Sequence, residues 1–239
     1  MTSPKHSSHN LFSNATLDMP RSKSSARWLK EHFDDAYVKR AQAEGMRSRA
    51  AFKLEELLER DRLLKPGMTV VDLGAAPGGW SQVVRLRLGD KGRVVALDIL
   101  PMQGIGGVEF IEGDFREDAV LEALQARLNG QRADLVLCDM APNISGVGVV
   151  DQARTMHLAE LALDFARNWL KPGGSFLVKL FQGTGFDDYL RGLRADFARV
   201  TLRKPRASRA RSREVYALAT GLRIHPAQAG AESSEGAAP

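Results

Sequence analysis

The sequence predicts an α/β fold: a seven-stranded, mostly parallel sheet with helices on both faces. Short apolar runs alternate with helical patterns through most of the chain. A strand, a glycine-rich loop and a helix follow one another over residues 69–88. No helical pattern separates the last two strands, so we expect them to pair antiparallel as a hairpin at one edge of the sheet.

The pattern of elements indicates one domain with a tail at each end. Predicted strands cover residues 69–73, 93–98, 108–111, 133–139, 175–181, 197–202 and 214–220, and predicted helices cover residues 28–43, 49–58, 81–88, 117–128, 152–170 and 186–193. We expect a folded domain over 25–223 that begins with a helical part at 25–65. The polar residues 1–24 and the Ala-, Gly- and Ser-rich residues 224–239 are expected to be disordered.

The strand–loop–helix segment has the features of a ligand crevice. A short apolar strand carrying Asp72 leads into a loop of turn-forming residues: Gly74, Pro77, Gly78 and Gly79. Glycine lets the backbone turn tightly and approach a ligand closely, and α/β proteins bind ligands at the carboxyl ends of their strands. The loop lacks the G-x-G-x-x-G spacing, so an adenosine-type ligand without a pyrophosphate fits it better than a dinucleotide.

Acidic residues stand at or just beyond the ends of the following strands. Asp98 ends the second strand, Asp114 follows the third, and Asp139 ends the fourth. A carboxylate at the position of Asp98 is where a ribose diol is bound in related crevices. An ordinary strand-to-helix turn with surface acids is the alternative interpretation.

Lys179 is the one charged residue in the apolar strand at 175–181. Burying an ammonium group is costly unless it is paired or deprotonated, so a functional role is indicated, with a structural lysine at a strand edge as the alternative. Cys138 is the only cysteine, which excludes an internal disulfide and a cysteine-based zinc site. We expect it to be a small buried hydrophobe.

Positive charge is concentrated in three clusters within a chain of net charge +5. They are Arg199, Arg203, Lys204, Arg206, Arg209, Arg211 and Arg213; Arg21, Lys23, Arg27 and Lys30; and Lys39, Arg40, Arg47, Arg49 and Lys53. Such patches indicate nucleic-acid binding, although solvated faces give the same pattern. The aromatic content of 7% favours a folded RNA surface over a single strand. No apolar run could span a bilayer or serve as a signal peptide, so we expect a cytoplasmic protein.

Several motifs closely resemble the FtsJ/RlmE family of bacterial S-adenosylmethionine-dependent methyltransferases, which act on a ribose 2′-hydroxyl of 23S ribosomal RNA. They are RSRAAFKL at 47–54, VVDLGAAPGGWSQ at 70–82, GDFRE at 113–117, DMAPNISG at 139–146, FLVKLFQG at 176–183 and SRARSREVY at 208–216. The resemblance runs in unbroken order from Arg27 to Gly221. The longer polar N-terminal segment and the tail beyond Gly221 depart from it.

The resemblance implies a Rossmann-like class I methyltransferase whose seventh strand is antiparallel, and an enzyme of EC class 2.1.1. It implies a catalytic tetrad at Lys53, Asp139, Lys179 and Glu214, and S-adenosyl-L-methionine bound at Gly78, Trp80, Asp98, Asp114 and Asp139. We expect Asp72, Gly74, Pro77 and Gly79 of the strand–loop segment to complete the cofactor site. Asp98 would hold the ribose hydroxyls and Asp114 the adenine amino group. Expected RNA contacts are Arg27, Lys30, Arg47, Arg49, Lys53, Arg206, Arg209, Arg211 and Arg213. The implied substrate is a uridine in the A-loop of the large ribosomal subunit, and we expect a monomer without a metal.

The chemistry of a ribose hydroxyl gives the tetrad distinct roles. Such a hydroxyl is a poor nucleophile until a base removes its proton, and free lysine, with a pKa of about 10.4, is protonated at neutral pH. Burial, the charge of Lys53 and the cofactor's sulfonium would favour a neutral amine at Lys179. Asp139 and Glu214 favour the charged form, so their expected role is to aim the amine. Glu214 could instead pair with the neighbouring arginines.

Other functions fit parts of this pattern. The chain could methylate a ribose of transfer RNA or of a messenger cap, although no aromatic slot for a methylated guanine is evident. It could act mainly by binding, as a ribosome-assembly factor, which rescue of a deletion strain by a Lys179→Ala protein would reveal. A nicotinamide-dependent dehydrogenase is disfavoured by the loop spacing.

Overall fold

A computed structural model describes residues 35–142, 145–209 and 212–223. The helices are α1 (Ala36–Ala43), α2 (Ala50–Asp61), α3 (Gly79–Leu88), α4 (Asp118–Leu128), α5 (Gly148–Trp169) and α6 (Phe186–Asp196). The strands are β1 (Thr69–Leu73), β2 (Arg93–Asp98), β3 (Val108–Glu112), β4 (Ala133–Cys138), β5 (Leu170–Phe181), β6 (Phe197–Arg203) and β7 (Glu214–Leu222). Both predicted tails, and residues 28–34 of the helix predicted at 28–43, lie outside the described residues.

The seven strands form one sheet in the order β3-β2-β1-β4-β5-β7-β6. The first five strands are mutually parallel, whereas β7 runs antiparallel to both β5 and β6. The predicted fold class and the predicted β6–β7 hairpin are therefore confirmed. Within the hairpin it is β6 that takes the edge, so β7 is inserted beside β5 and its side chains become part of the interior.

Helices cover both faces of the sheet because the strand side chains alternate in direction. One face, with Val70 and Leu137, packs against α2 and α3. The opposite face, with Val71 and Val136, packs against α4, α5 and α6. Because both faces are covered, the inner strands are mostly apolar, as is typical of parallel sheets, and Asp72 in β1 and Lys179 in β5 are charged exceptions.

Several predicted boundaries shift by a few residues, and two of these shifts have clear local causes. Helix α2 continues past residue 58 to Asp61, where Arg62 adopts a left-handed conformation with φ of 49° and its N–H bonds back to the Leu58 carbonyl. The turn expected at 171–174 lies inside β5, since Leu170 already pairs with Ala133 and the β4–β5 register shifts before the pairing resumes at residue 175.

The loop between β6 and β7, residues 204–213, is docked on α2. Ala207 is buried in a small cluster with Phe52 of α2 and Ala41 of α1. Glu56 of α2 accepts a hydrogen bond from the Arg206 backbone N–H at 2.9 Å. The basic loop is thereby held beside the helix that carries Lys53. Among the described residues, none of the helices combines the length and apolar character needed to cross a membrane.

Candidate active site

The pairing register between β5 and β7 brings three polar side chains to the same face of the sheet. Lys179 pairs directly with Tyr216, and Phe181 pairs with Glu214. Because Glu214 lies two residues from Tyr216 along the strand, both of their side chains project toward the face covered by α2 and α3. Lys179 projects there as well, two residues beyond Leu177, which belongs to the core on that face.

The amine of Lys179 is buried and paired with Asp139. The residue is 8% exposed, and its Nζ donates to the Asp139 backbone carbonyl at 2.5 Å and lies 3.1 Å from the Asp139 carboxylate. Asp139 is held directly after β4 by its own N–H, which donates to the Leu73 carbonyl at the end of β1. The buried lysine is therefore satisfied by one residue whose backbone is fixed by the sheet.

Lys53 and Glu214 form the second charged pair. Lys53 reaches from α2 to Glu214 with an Nζ–Oε1 distance of 2.7 Å, and the Ser208 hydroxyl donates to the same carboxylate at 2.9 Å. Burial raises the pKa of Glu214, but the charge of Lys53, with the hydrogen bonds from Lys53 and Ser208, outweighs it and leaves that pKa below the ordinary value. Glu214 is therefore ionised at neutral pH.

Tyr216 links the two pairs. Its hydroxyl accepts a hydrogen bond from Lys53 at 3.4 Å and donates one to Asp139 at 3.3 Å, while its ring packs against Trp80 with centroids 5.7 Å apart. Burial, followed by the charge of Asp139, raises its pKa well above the ordinary value, so the hydroxyl keeps its proton. No role for Tyr216 was predicted from the sequence, although its position two residues after Glu214 in a strand places both side chains on the same face.

Lys179, Asp139, Tyr216, Lys53 and Glu214 thus form one hydrogen-bonded network. The loop from β1 to α3 lies against this network beside Asp139. Gly74 has φ of 80°, and a Cβ there would lie 2.7 Å from the backbone nitrogen of Met140, the residue after Asp139. The N–H of Gly74 donates to the Leu97 carbonyl in β2. The carboxyl ends of β1, β2 and β4 thus meet at one point, and a side chain at residue 74 would close the gap between them.

Asp72 lies beneath the loop and is fully buried. Its Oδ2 accepts a hydrogen bond from the Ser81 hydroxyl of α3 at 2.6 Å, whereas its Oδ1 has no hydrogen-bond partner. Burial raises the pKa of this carboxyl to about 7, against the opposing hydrogen bond from Ser81. The bond between Asp72 and Ser81 joins the end of β1 to the first turn of α3, which fixes the loop between them.

The other predicted cofactor residues have mixed surroundings. Asp98 is half-buried and accepts hydrogen bonds from the Ala76 and Leu100 N–H groups, each at 2.8 Å, so it joins the loop after β1 to the loop after β2. Asp114 accepts hydrogen bonds from Arg116, which lower its pKa. The Trp80 indole is buried and donates to the Ala50 carbonyl at 2.9 Å, so its polar N–H is already satisfied within the protein.

The predicted RNA residues fall into three groups. Arg206 and Arg213 are exposed beside the network, and Arg209 is half-buried there. The Arg47 and Arg49 guanidinium groups donate to backbone carbonyls, and Lys53 pairs with Glu214. Arg27, Lys30 and Arg211 lie outside the described residues.

Cys138 and the titratable side chains indicate no further reactive centre in the described part of the chain. Burial raises the pKa of the Cys138 thiol to about 12, which keeps it protonated and inert. Across residues 35–142, 145–209 and 212–223, no three His, Cys, Asp or Glu side chains are grouped as a metal site would require.

The architecture is that of Rossmann-like methyltransferases. A crystal structure of a ribosomal RNA methyltransferase from Plasmodium falciparum superimposes with a TM-score of 0.68 at 28% sequence identity, covering 75% of this chain and all of the other. The family model described as FtsJ-like methyltransferase matches residues 46–222, which include both charged pairs and the loop. The chain therefore belongs to the FtsJ-like methyltransferase family, which confirms the resemblance noted from the sequence.

Curated bacterial proteins are more similar still. The ribosomal RNA large subunit methyltransferase E of Stenotrophomonas maltophilia strain K279a is 71% identical over 205 residues, which cover 86% of this chain and 98% of that protein. The protein of the same name from Xanthomonas euvesicatoria is 70% identical over 204 residues, covering 85% of this chain and 97% of the relative. The similarity thus spans nearly the whole length of each relative.

The raised pKa of Asp72 predicts a pH-dependent stability. Between its ordinary value of 3.8 and about 7, the folded protein keeps a proton on Asp72 that the unfolded chain has released. The free energy of unfolding of the wild type minus that of Asp72→Asn should therefore fall as the pH rises through this window, by at most about 1.4 kcal/mol per pH unit. Above this window the difference should stay constant. Urea unfolding at a series of pH values measures this; a constant difference would contradict it.

Proposed function

We propose that this protein transfers a methyl group from S-adenosyl-L-methionine to a ribose 2′-hydroxyl of 23S ribosomal RNA, at a uridine of the A-loop in the large subunit. The observation that carries the proposal is the buried amine of Lys179, which lies with Asp139 where the ends of β1 and β4 meet the glycine loop. The family supports methyl transfer, and the names of the curated relatives support large-subunit ribosomal RNA as the substrate.

The crevice fits a methyl donor of this kind. Gly74 and Gly78 both have positive φ, and a Cβ at either would meet neighbouring atoms within 3.0 Å, so the loop has to stay without side chains there. Asp98 offers a carboxylate where a ribose diol would be held. When bound, S-adenosylmethionine supplies an electrophilic methyl group on a sulfonium centre.

Lys179 is proposed as the general base. A neutral amine at this position accepts the proton of the ribose hydroxyl, and the ammonium group that forms is stabilised by the Asp139 carboxylate 3.1 Å away. The backbone carbonyl of Asp139 fixes the direction of Nζ. Orientation of this kind contributes to the rate because it removes the entropy cost of bringing base and hydroxyl together.

Lys53 is proposed to hold the RNA beside the base. Its ammonium is kept in place by Glu214 and Tyr216, so this positive charge is already in position before the substrate binds. A charge there favours a nearby phosphate or the hydroxyl oxygen, and through Tyr216 and Asp139 it is connected to the amine of Lys179.

The basic loop is proposed to set the affinity for RNA. Arg206 and Arg213 are exposed, and Lys204 closes the loop at its base by donating to the Ser212 and Glu214 carbonyls at 2.5 and 2.6 Å. Arg49 donates to the Ala207 carbonyl and so holds the loop against α2. Phosphate contacts from such a loop position the nucleic acid, while its shape and extruded bases give specificity.

Methyl transfer to isolated large ribosomal subunits tests the activity. With labelled S-adenosylmethionine, the wild type should label one uridine ribose in the A-loop. Lys179→Ala should slow the transfer on the order of 10²–10⁴-fold, since it removes the base, and Lys179→Arg should do the same because a guanidinium is not deprotonated at accessible pH.

Lys171→Ala is the matched control, because this lysine lies in the same strand but pairs with Asp134 at the opposite end. It should retain the wild-type rate. A label on a base instead of a ribose, or a Lys179→Arg protein with the wild-type rate and pH profile, would contradict the proposal.

The arginine loop predicts binding that weakens steeply with salt. The Arg206 side chain is 88% exposed and 3.7 Å from Glu56, so we expect it to contact a phosphate. Arg206→Ala should weaken binding to large subunits and reduce the slope of log K against log salt by about one. Arg194→Ala, on α6 at the opposite face of the sheet, is the control and should leave the slope unchanged; equal slopes for all three proteins would refute the assignment.

A further inference from the structure

Arg47 joins the two loops that border the crevice. Its Nη1 donates to the Pro77 carbonyl at 3.3 Å and to the Gln103 carbonyl, and its Nη2 donates to the Gly104 carbonyl at 2.7 Å. Pro77 belongs to the loop between β1 and α3, whereas Gln103 and Gly104 belong to residues 99–107, the loop between β2 and β3. A single guanidinium group therefore bonds to both loops.

The backbone of Arg47 is fixed where its side chain begins. The Gln82 side chain of α3 accepts the Arg47 N–H at 3.0 Å and donates to the Gly45 carbonyl at 3.0 Å. An arginine that is anchored at its backbone and bonded at its guanidinium has little freedom to turn toward another partner.

Packing reinforces the hydrogen bonds. A Cβ on Gly78 would lie 3.0 Å from Cδ of Arg47, 2.8 Å from Sδ of Met102 and 3.0 Å from Cδ1 of Ile105. The aliphatic part of Arg47 and two apolar side chains of the 99–107 loop therefore meet directly over the glycine loop. Because all three are in contact range of Gly78, the separation of the two loops is set by this cluster.

We propose that Arg47 is a positioning residue for the methyl-donor site, holding the glycine loop and the 99–107 loop at the separation that an adenosine group needs. The inference rests on the proposed function, since it takes the crevice between these loops as the donor site. It also changes the role expected for Arg47 from an RNA contact to a structural one, because its N–H groups are directed at carbonyl oxygens of the protein.

If Arg47 has this role, the shape of its guanidinium group must matter as well as its positive charge. A planar guanidinium can reach carbonyls of two loops at once from a fixed fork, whereas the single ammonium of lysine cannot reproduce that spread. Arg47→Lys should therefore behave like Arg47→Ala toward the methyl donor, although it keeps the positive charge that an RNA phosphate would require.

Binding of S-adenosylmethionine measured by calorimetry, without RNA, is the direct test. Arg47→Lys and Arg47→Ala should bind it about tenfold more weakly than the wild type, the effect of losing a charge-assisted hydrogen bond. Arg194→Ala removes the same charge from α6, on the opposite face of the sheet, and should bind it with wild-type affinity. In the protein without ligand, hydrogen exchange of residues 99–107 should be faster in both Arg47 variants and unchanged in Arg194→Ala.

The outcomes separate this proposal from the proposed function. Wild-type affinity and wild-type loop exchange in Arg47→Lys would overturn the positioning role alone. Failure of the wild type to bind S-adenosylmethionine would overturn the proposed function and this inference with it. If Arg47→Ala does not fold, Arg47→Lys and Gln82→Ala carry the test, because each weakens the link between the two loops while leaving the core intact. Faster hydrogen exchange of residues 99–107 in both variants is the expected result.

Discussion

A lysine inside a covered sheet needs partners for its ammonium group, and the site is organised around that requirement. Lys179 finds both of its partners in Asp139, one through the backbone and one through the carboxylate. Leaving the amine unpaired would cost several kcal/mol, so β4 and β5 have to keep their register for the fold to be stable. The same register gives the amine one direction, toward the end of the strands. Stability and the proposed catalytic role thus require the same arrangement of these two residues.

Helix α2 connects the two halves of the site. From its first turn, Lys53 reaches Glu214 on β7. Just before the helix begins, Arg47 bonds to the loops after β1 and β2. The β6–β7 loop is docked on the same helix through Glu56. A small displacement of α2 would therefore affect the proposed base, the proposed donor crevice and the basic loop together. This explains why a segment outside the sheet carries so many of the charged residues.

The sequence predicted the fold well because the strands and helices have strong periodic patterns, and β1, β2 and β7 begin where expected. Lys179 was evident as the one charge in an apolar strand. Lys53 and Glu214 were assigned only through the resemblance, since a helix lysine and a glutamate beside arginines have no distinctive local pattern. The link through Tyr216 depends on which β7 residue faces Lys179, and pairing register is not readable from either strand alone. The role of Arg47 depends on loop backbones 30 to 57 residues away in sequence.

A crystal structure of the protein with bound S-adenosylmethionine tests the central claim most directly. The account predicts that the methyl group faces the Lys179 amine and the Asp139 carboxylate, with the adenosine between the glycine loop and Asp98. It also predicts that the hydrogen bonds joining Lys53, Glu214, Tyr216 and Asp139 persist. A cofactor bound elsewhere, or a Lys179 amine turned away from the methyl group into solvent, would contradict it.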